Sequence, residues 1–137
     1  MFRTASRLLT VGVMAGAVAV AGIGTASAKS TIDIQVGPRS QHVGQWFGVH
    51  GAGISDSTGL QRFCVQERYG SSGAWQTTWC GRIVDSTRQE ATAYGSVRAG
   101  HLGTLELRGV LQEVQHPWGG RTWQLAETAP VTVHVVR

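Results

Sequence analysis

The chain has 137 residues, with 12 lysine and arginine side chains against 8 aspartate and glutamate and a formal charge of +4. That length suits one small domain. The charge argues against a nucleic-acid partner, which selects a clustered basic face: Arg62, Arg68, Arg82, Arg88, Arg98 and Arg108 are scattered among acidic and apolar residues. Lys29 is the only lysine, which reads as the codon bias of a high-GC bacterial genome.

The first element in chain order is an export signal. Arg3 and Arg7 precede an uncharged run of apolar and small residues from Leu8 to Gly24, followed by Thr25-Ala26-Ser27-Ala28. A basic segment, an apolar segment and an Ala-x-Ala site predict a secretory signal peptide over residues 1–28, cleaved between Ala28 and Lys29. A retained membrane anchor is the alternative. The run falls short of the ~20 strongly apolar residues a bilayer requires, and Gly12, Gly16 and Gly22 interrupt it. Cleavage leaves residues 29–137 as one domain. Arg3 and Arg7 leave with the signal, so the mature chain carries 10 basic against 8 acidic side chains, or +2. Lys29 is not the cysteine a lipoprotein needs, and the two arginines are not adjacent, so the twin-arginine route is not indicated. The expectation is a secreted, extracellular protein with no membrane attachment after cleavage.

Beyond Lys29 the periodicity is that of strands. Ile32, Ile34 and Val36 alternate with Asp33 and Gln35 until Gly37-Pro38. Phe47 and Val49 alternate with Trp46, Gly48 and His50, a run that the stretch from Gly51 to Gly59 is expected to end. Phe63 and Val65 mark a third strand, turning at Gly70-Ser71-Ser72-Gly73, and Trp75, Thr77 and Trp79 mark its return. Ala91 to Arg98 is weaker, Leu105, Leu107 and Leu111 stronger. Val131, Val133 and Val135 follow Pro130, placed at a strand start where a missing N–H is tolerated. About seven short strands with frequent turns predict an all-β, two-sheet sandwich, with a closed small barrel as the rival.

Cys64 and Cys80 are the only cysteines. In an oxidising compartment they are expected to form a disulfide, rather than remain free thiols or hold zinc with too few ligands. If the two lie directly opposite on an antiparallel hairpin, Gln66 faces Thr78, Arg68 faces Gln76 and Tyr69 faces Trp75, around a loop from Gly70 to Ala74. One face then carries Phe63, Val65, Tyr69, Trp75 and Trp79 toward the core. The other carries Cys64, Gln66, Arg68, Gln76, Thr78 and Cys80 toward water. A slip of one residue would mix the two faces.

From Val43 to Val136 the chain resembles the immunoglobulin-like β-sandwich modules of secreted and cell-surface bacterial proteins. The likeness rests on Val43-Gly44 with Phe47, Val49 and Gly51, on Phe63-Cys64-Val65-Gln66-Glu67-Arg68, and on Gly73-Ala74-Trp75-Gln76. It continues with Leu105-Glu106-Leu107-Arg108-Gly109-Val110 and Pro130-Val131-Thr132-Val133-His134-Val135. These are framework positions, so the resemblance implies a fold of about seven antiparallel strands and carries no binding site. A cysteine pair inside one hairpin departs from the inter-sheet disulfide of antibody domains. Secreted chromophore-carrying apoproteins are similar in size and fold but usually have two disulfides.

Catalytic motifs are missing. His42, His50, His101, His116 and His134 occur in no metal-binding pair, His50 and His134 read as solvated edge positions, and no Gly-x-Ser-x-Gly elbow occurs. Neither an enzyme nor a cofactor is expected. The binding candidates are aromatic: Trp118, Arg121 and Trp123 in the stretch His116 to Trp123, which is expected to join the last two long strands, and Trp46, which alternation turns away from the core. Trp and Arg supply contact area and bidentate hydrogen bonds, which is why binding centres favour them. Equally, Trp123 packs on the core and Trp118 caps the hairpin, or Trp46 covers the sandwich edge. The expected function is a non-enzymatic binding or adhesion-type domain for an extracellular protein or polysaccharide, or an inhibitor of an extracellular hydrolase.

Overall fold

In the computed structural model residues 29–137 are described, and the signal-peptide expectation for 1–28 lies outside them. The described residues form ten strands and no helix: β1 (Ser30–Val36), β2 (Ser40–His42), β3 (Trp46–Ser55), β4 (Leu60–Tyr69), β5 (Gln76–Cys80), β6 (Val84–Asp85), β7 (Ala91–Arg98), β8 (Gly103–His116), β9 (Gly119–Glu127) and β10 (Val131–Val136). They build a β-sandwich. One sheet runs β1-β3-β7; the other runs β2-β10-β8-β4-β5, with β6 also on β4 and β9 also on β8. Nearly all pairings are antiparallel; β2 on β10 is parallel.

The core lies between the sheets and follows period-2 alternation. Ile34, Phe47, Val49, Ala93 and Val97 point into it from one sheet, and Phe63, Val65, Leu105, Leu107, Leu111, Val133 and Val135 from the other. Its largest fully buried side chain is Phe63. The ring lies so close to Gly51 on β3 and Gly109 on β8 that a Cβ at either position would come within 2.0 and 2.1 Å of it. This explains why β3 runs on to Ser55 instead of ending at Gly51. The glycine there makes room for the ring of the facing sheet and breaks nothing.

Three other sequence expectations need correction. The segment Gly119–Glu127 is strand β9, so most of the anticipated connecting loop is hairpin strand; only Pro117 and Trp118 separate His116 from its partner Gly119. Short β2 and β6 carry too few residues to show a period. The third concerns the cysteine hairpin.

Cys64 and Cys80 form the disulfide and lie directly opposite, as do Val65 and Trp79. The register then shifts, and Gln66 faces Thr77 while Glu67 faces Gln76. Thr78 is the extra residue of this bulge, and its hydroxyl donates to the Val65 carbonyl at 2.9 Å. The shift turns Trp75 away from the core. Its ring is held between the guanidinium groups of Arg68 and Arg108, at 4.2 and 4.4 Å, and those arginines are anchored by Glu106 and Glu127. Nor is the cysteine face wholly wet. Cys64 is fully buried, with Gln112 Oε1 3.5 Å from its Sγ.

Unbroken alternation along β4 sets Glu67 in phase with Phe63 and Val65, on the core-facing side at the open edge of the sandwich. Burial raises its pKa above the ordinary 4.5. The folded state therefore holds this proton more tightly than the unfolded chain, so the carboxylate opposes folding once the pH exceeds the raised pKa.

Three measurements check this account. Gly109→Ala is expected to cost about 1–3 kcal/mol in urea denaturation, as overpacking does, and pairing it with Phe63→Leu should recover part of the loss. Replacing Cys64 and Cys80 together by alanine should cost about 3 kcal/mol, the loop-closure value for a ring of this size. Glu67→Gln should stabilise the protein at neutral pH, and the gain should fade as the pH drops toward 4.5.

Candidate functional site

The four candidates do not meet in one place. Trp118, Arg121 and Trp123 share the β8–β9 hairpin, whose two-residue turn, Pro117 and Trp118, runs into Gly119 and Gly120 at φ 119° and 92°. Those angles belong to the left-handed region, where glycine alone is free of strain. Trp118 is 81% exposed and its ring stacks on His116 at 4.6 Å between centroids. Arg121 is exposed, and its backbone N–H donates to Gln115 Oε1. Trp123 stands opposite Glu113 and is half exposed, so it does not pack into the core.

Trp46 lies at the other end of the molecule, on the other sheet. It opens β3 opposite Arg98, the last residue of β7, whereas the N–H of Ser55, at the far end of β3, donates to Gln61 Oε1 at the end that carries the hairpin. It points outward as alternation requires and is 66% exposed.

The outward face of β1-β3-β7 brings to Trp46 residues that sequence reasoning passed over. The register places Gln35, His50 and Tyr94 side by side in one row, Gly48 and Ser96 in the next, and Trp46 and Arg98 beyond. Tyr94 is 71% exposed and stacks on His50 with ring centroids 4.1 Å apart and planes 10° from parallel. His50 is therefore part of an aromatic platform and not a lone solvated edge residue. A shallow groove of about 400 Å³ runs over Gly37, Gly48 and Gly95, walled by His50, Tyr94 and Gln35. The signal available in the sequence was alternation itself. Tyr94 lies out of phase with Ala91, Ala93 and Val97, but only the strand pairing sets it beside His50.

A second cleft, of about 230 Å³, opens between the edge strands β5 and β7 and is lined by Trp46, Glu67, Thr78, Trp79 and Arg98. Trp79 closes it from below. Its indole lies against the backbone of Gly95, where a Cβ would come within 2.5 Å. Its Nε1 is the one buried side-chain polar atom without a partner among the described residues. The loss of about 1–3 kcal/mol for that unmet donor is offset by the large apolar area of the ring.

No group of three or more His, Cys, Asp or Glu side chains among the described residues is placed to hold a metal. The histidines are dispersed: His50 on Tyr94, His101 against Tyr69, His116 on Trp118, and His42 bonded to the Arg137 carbonyl. No helix in the described residues is long and apolar enough to cross a membrane. Chemically, this surface offers flat rings, guanidinium and amide donors, and exposed backbone.

No family model and no curated protein matches the chain. Among solved structures, a β-glucosidase from Listeria innocua is similar over 82% of this chain and 16% of its own, with a TM-score of 0.51 and 10% identity. Its complex with glucose gives 0.50 and 13%, again over 82% and 16%. The CARDB domain of a Pyrococcus furiosus protein, in complex with di-metal ions, gives 0.48 and 11%, over 84% of this chain and 94% of that one. The chain thus spans less than a fifth of the β-glucosidase it matches. At these identities the likeness to the β-glucosidase shows the sandwich fold alone.

Proposed function

We propose that this chain is a non-enzymatic binding domain, an immunoglobulin-like sandwich module working outside the cell, and that its ligand is a polysaccharide. The observation that carries this reading is the display of large aromatic rings on rigid strands. Trp46, Tyr94, Trp118 and Trp123 all remain exposed, and two of them form flat stacked platforms with histidines. Such rings at the surface lose hydration free energy unless something covers them. Flat rings suit the C–H faces of sugars, while the guanidinium and amide groups around them suit hydroxyls. A stable protein partner buries roughly 800 Å² on each side, which favours one contiguous patch. Here the rings are divided between opposite ends. The disulfide between Cys64 and Cys80 agrees with an oxidising, extracellular setting.

A second reading has its own support. Trp118 stands at the tip of a two-residue hairpin turn as the most exposed large apolar side chain of the described residues, a shape suited to entering the cleft of a hydrolase.

Incubation of the protein with insoluble cell-wall and plant polysaccharides, followed by sedimentation, distinguishes the two. A polysaccharide-binding domain is expected in the pellet. A protein that stays in the supernatant and instead captures one hydrolase stoichiometrically, lost on Trp118→Ala, makes it an inhibitor.

A further inference from the structure

We infer that the groove on the outward face of β1-β3-β7 is a sugar subsite, and that its occupant is a pyranose of an acidic, uronate-bearing polysaccharide; this rests on the polysaccharide reading above and gives it a place and a chemistry. The groove has a floor, an aromatic wall, and beyond the floor a second ring and a charge. Its floor is bare backbone. Gly37 donates to the Gly48 carbonyl at 2.9 Å, closing the floor across β1 and β3, and a Cβ built on Gly48 would find no atom within 4 Å. Position 48 is an unfilled notch between side chains.

Aromatic rings stand on both sides of the notch along β3. Trp46 and His50 are four residues apart on β3, so they rise from the same face roughly 13 Å from each other at ~3.3 Å per residue. Once ring thickness is subtracted, a pyranose ring fits between them. The His50–Tyr94 stack walls the groove itself, and the Trp46 indole stands past Gly48 on the same face, where it also borders the neighbouring cleft. Ser96 stands beside Gly48 on β7, and Gln35 one row along, beside His50 on β1, where both reach ring hydroxyls. The volume of about 400 Å³ lies within the range of small-ligand sites.

The charge selects the sugar. Arg98 stands beside Trp46 on the same face and takes part in none of the ion pairs of the described residues. A guanidinium without a carboxylate partner suits bidentate pairing with a sugar carboxylate. The carboxylate that this face does carry, Asp33, lies opposite Ala52 beyond the His50–Tyr94 wall. Glu67 shares the neighbouring cleft with Arg98 but forms no ion pair with it, so a uronate meets a free guanidinium at the Trp46 end and no anion inside the notch.

Because nothing touches position 48, Gly48→Val fills the notch without disturbing the core, and a β-branched residue suits a strand. The test is isothermal titration of hexagalacturonate and, separately, cellohexaose into the full mature chain and its variants, with melting temperatures measured beside them. Wild type is expected to bind hexagalacturonate more tightly than cellohexaose. Gly48→Val, Trp46→Ala and Tyr94→Ala should each weaken that binding at least tenfold with melting temperature retained for Gly48→Val. Arg98→Gln should remove most of the preference for the uronate while leaving cellohexaose unaffected. If Gly48→Val binds as wild type, or Trp118→Ala alone abolishes binding, the notch is not the site although polysaccharide binding stands. Tighter binding of cellohexaose overturns the acidic preference. If the chain binds neither these oligosaccharides nor any insoluble polysaccharide, both readings fall together.

Discussion

The contact between the Phe63 ring and two strands that offer it no side chain underlies the rest of the architecture. Stacked sheets lie about 10 Å apart, and a phenylalanine pointing straight across that gap needs bare backbone to receive it. Gly51 supplies it on the facing sheet and Gly109 on the neighbouring strand. The ring thereby fixes the spacing of the layers and the register of β3 against β4 and β8. Gln61, one inward position away from Phe63 and almost fully buried, secures the adjoining turn. Its amide donates to the Ser57 carbonyl and accepts from the Ser55 N–H. Trp79 repeats the arrangement at the open edge, where its indole lies on the backbone of Gly95.

Between these anchors the hairpin of β4 and β5 serves both faces of its sheet. The covalent rung at Cys64 and Cys80 holds two strands in register where they meet the core. One step beyond, the bulge at Thr78 rotates the remainder, so that Trp75 joins a layer of arginines and carboxylates on the outside. Arg68 and Arg108 are largely shielded there, and their aliphatic stems cover sheet surface that charged residues would otherwise leave open. A polar outer layer of this kind protects the back of the larger sheet without a second core.

Much of this architecture was legible in the residues themselves. Alternation at Ile32–Val36, Ala91–Arg98 and Val131–Val135 marks strands β1, β7 and β10 because each buries one side only. The cysteine pairing followed from there being two cysteines, and Trp46 from its phase against Phe47 and Val49. What alternation could not disclose is how strands meet. A bulge is one residue of extra length with no composition of its own, so the direction of Trp75 was misjudged. The glycine at 51 reads as a breaker because local propensity is silent about a ring arriving from another layer. The partnership of His50 with Tyr94 joins positions 44 residues apart in the chain, and the outward groove is a product of that register. By contrast, Trp118 and Arg121 were found from local composition, since a hairpin tip is a local structure.

The outward groove and the core draw on interleaved positions of the same strands. Trp46, Gly48 and His50 alternate with Phe47 and Val49, and Tyr94 and Ser96 with Ala93 and Val97. Odd positions carry the folding free energy of β3, even ones its chemistry toward solvent. A lineage descended from this chain is consequently free to drift at the even positions, exchanging one recognised molecule for another, while purifying selection holds the odd ones still.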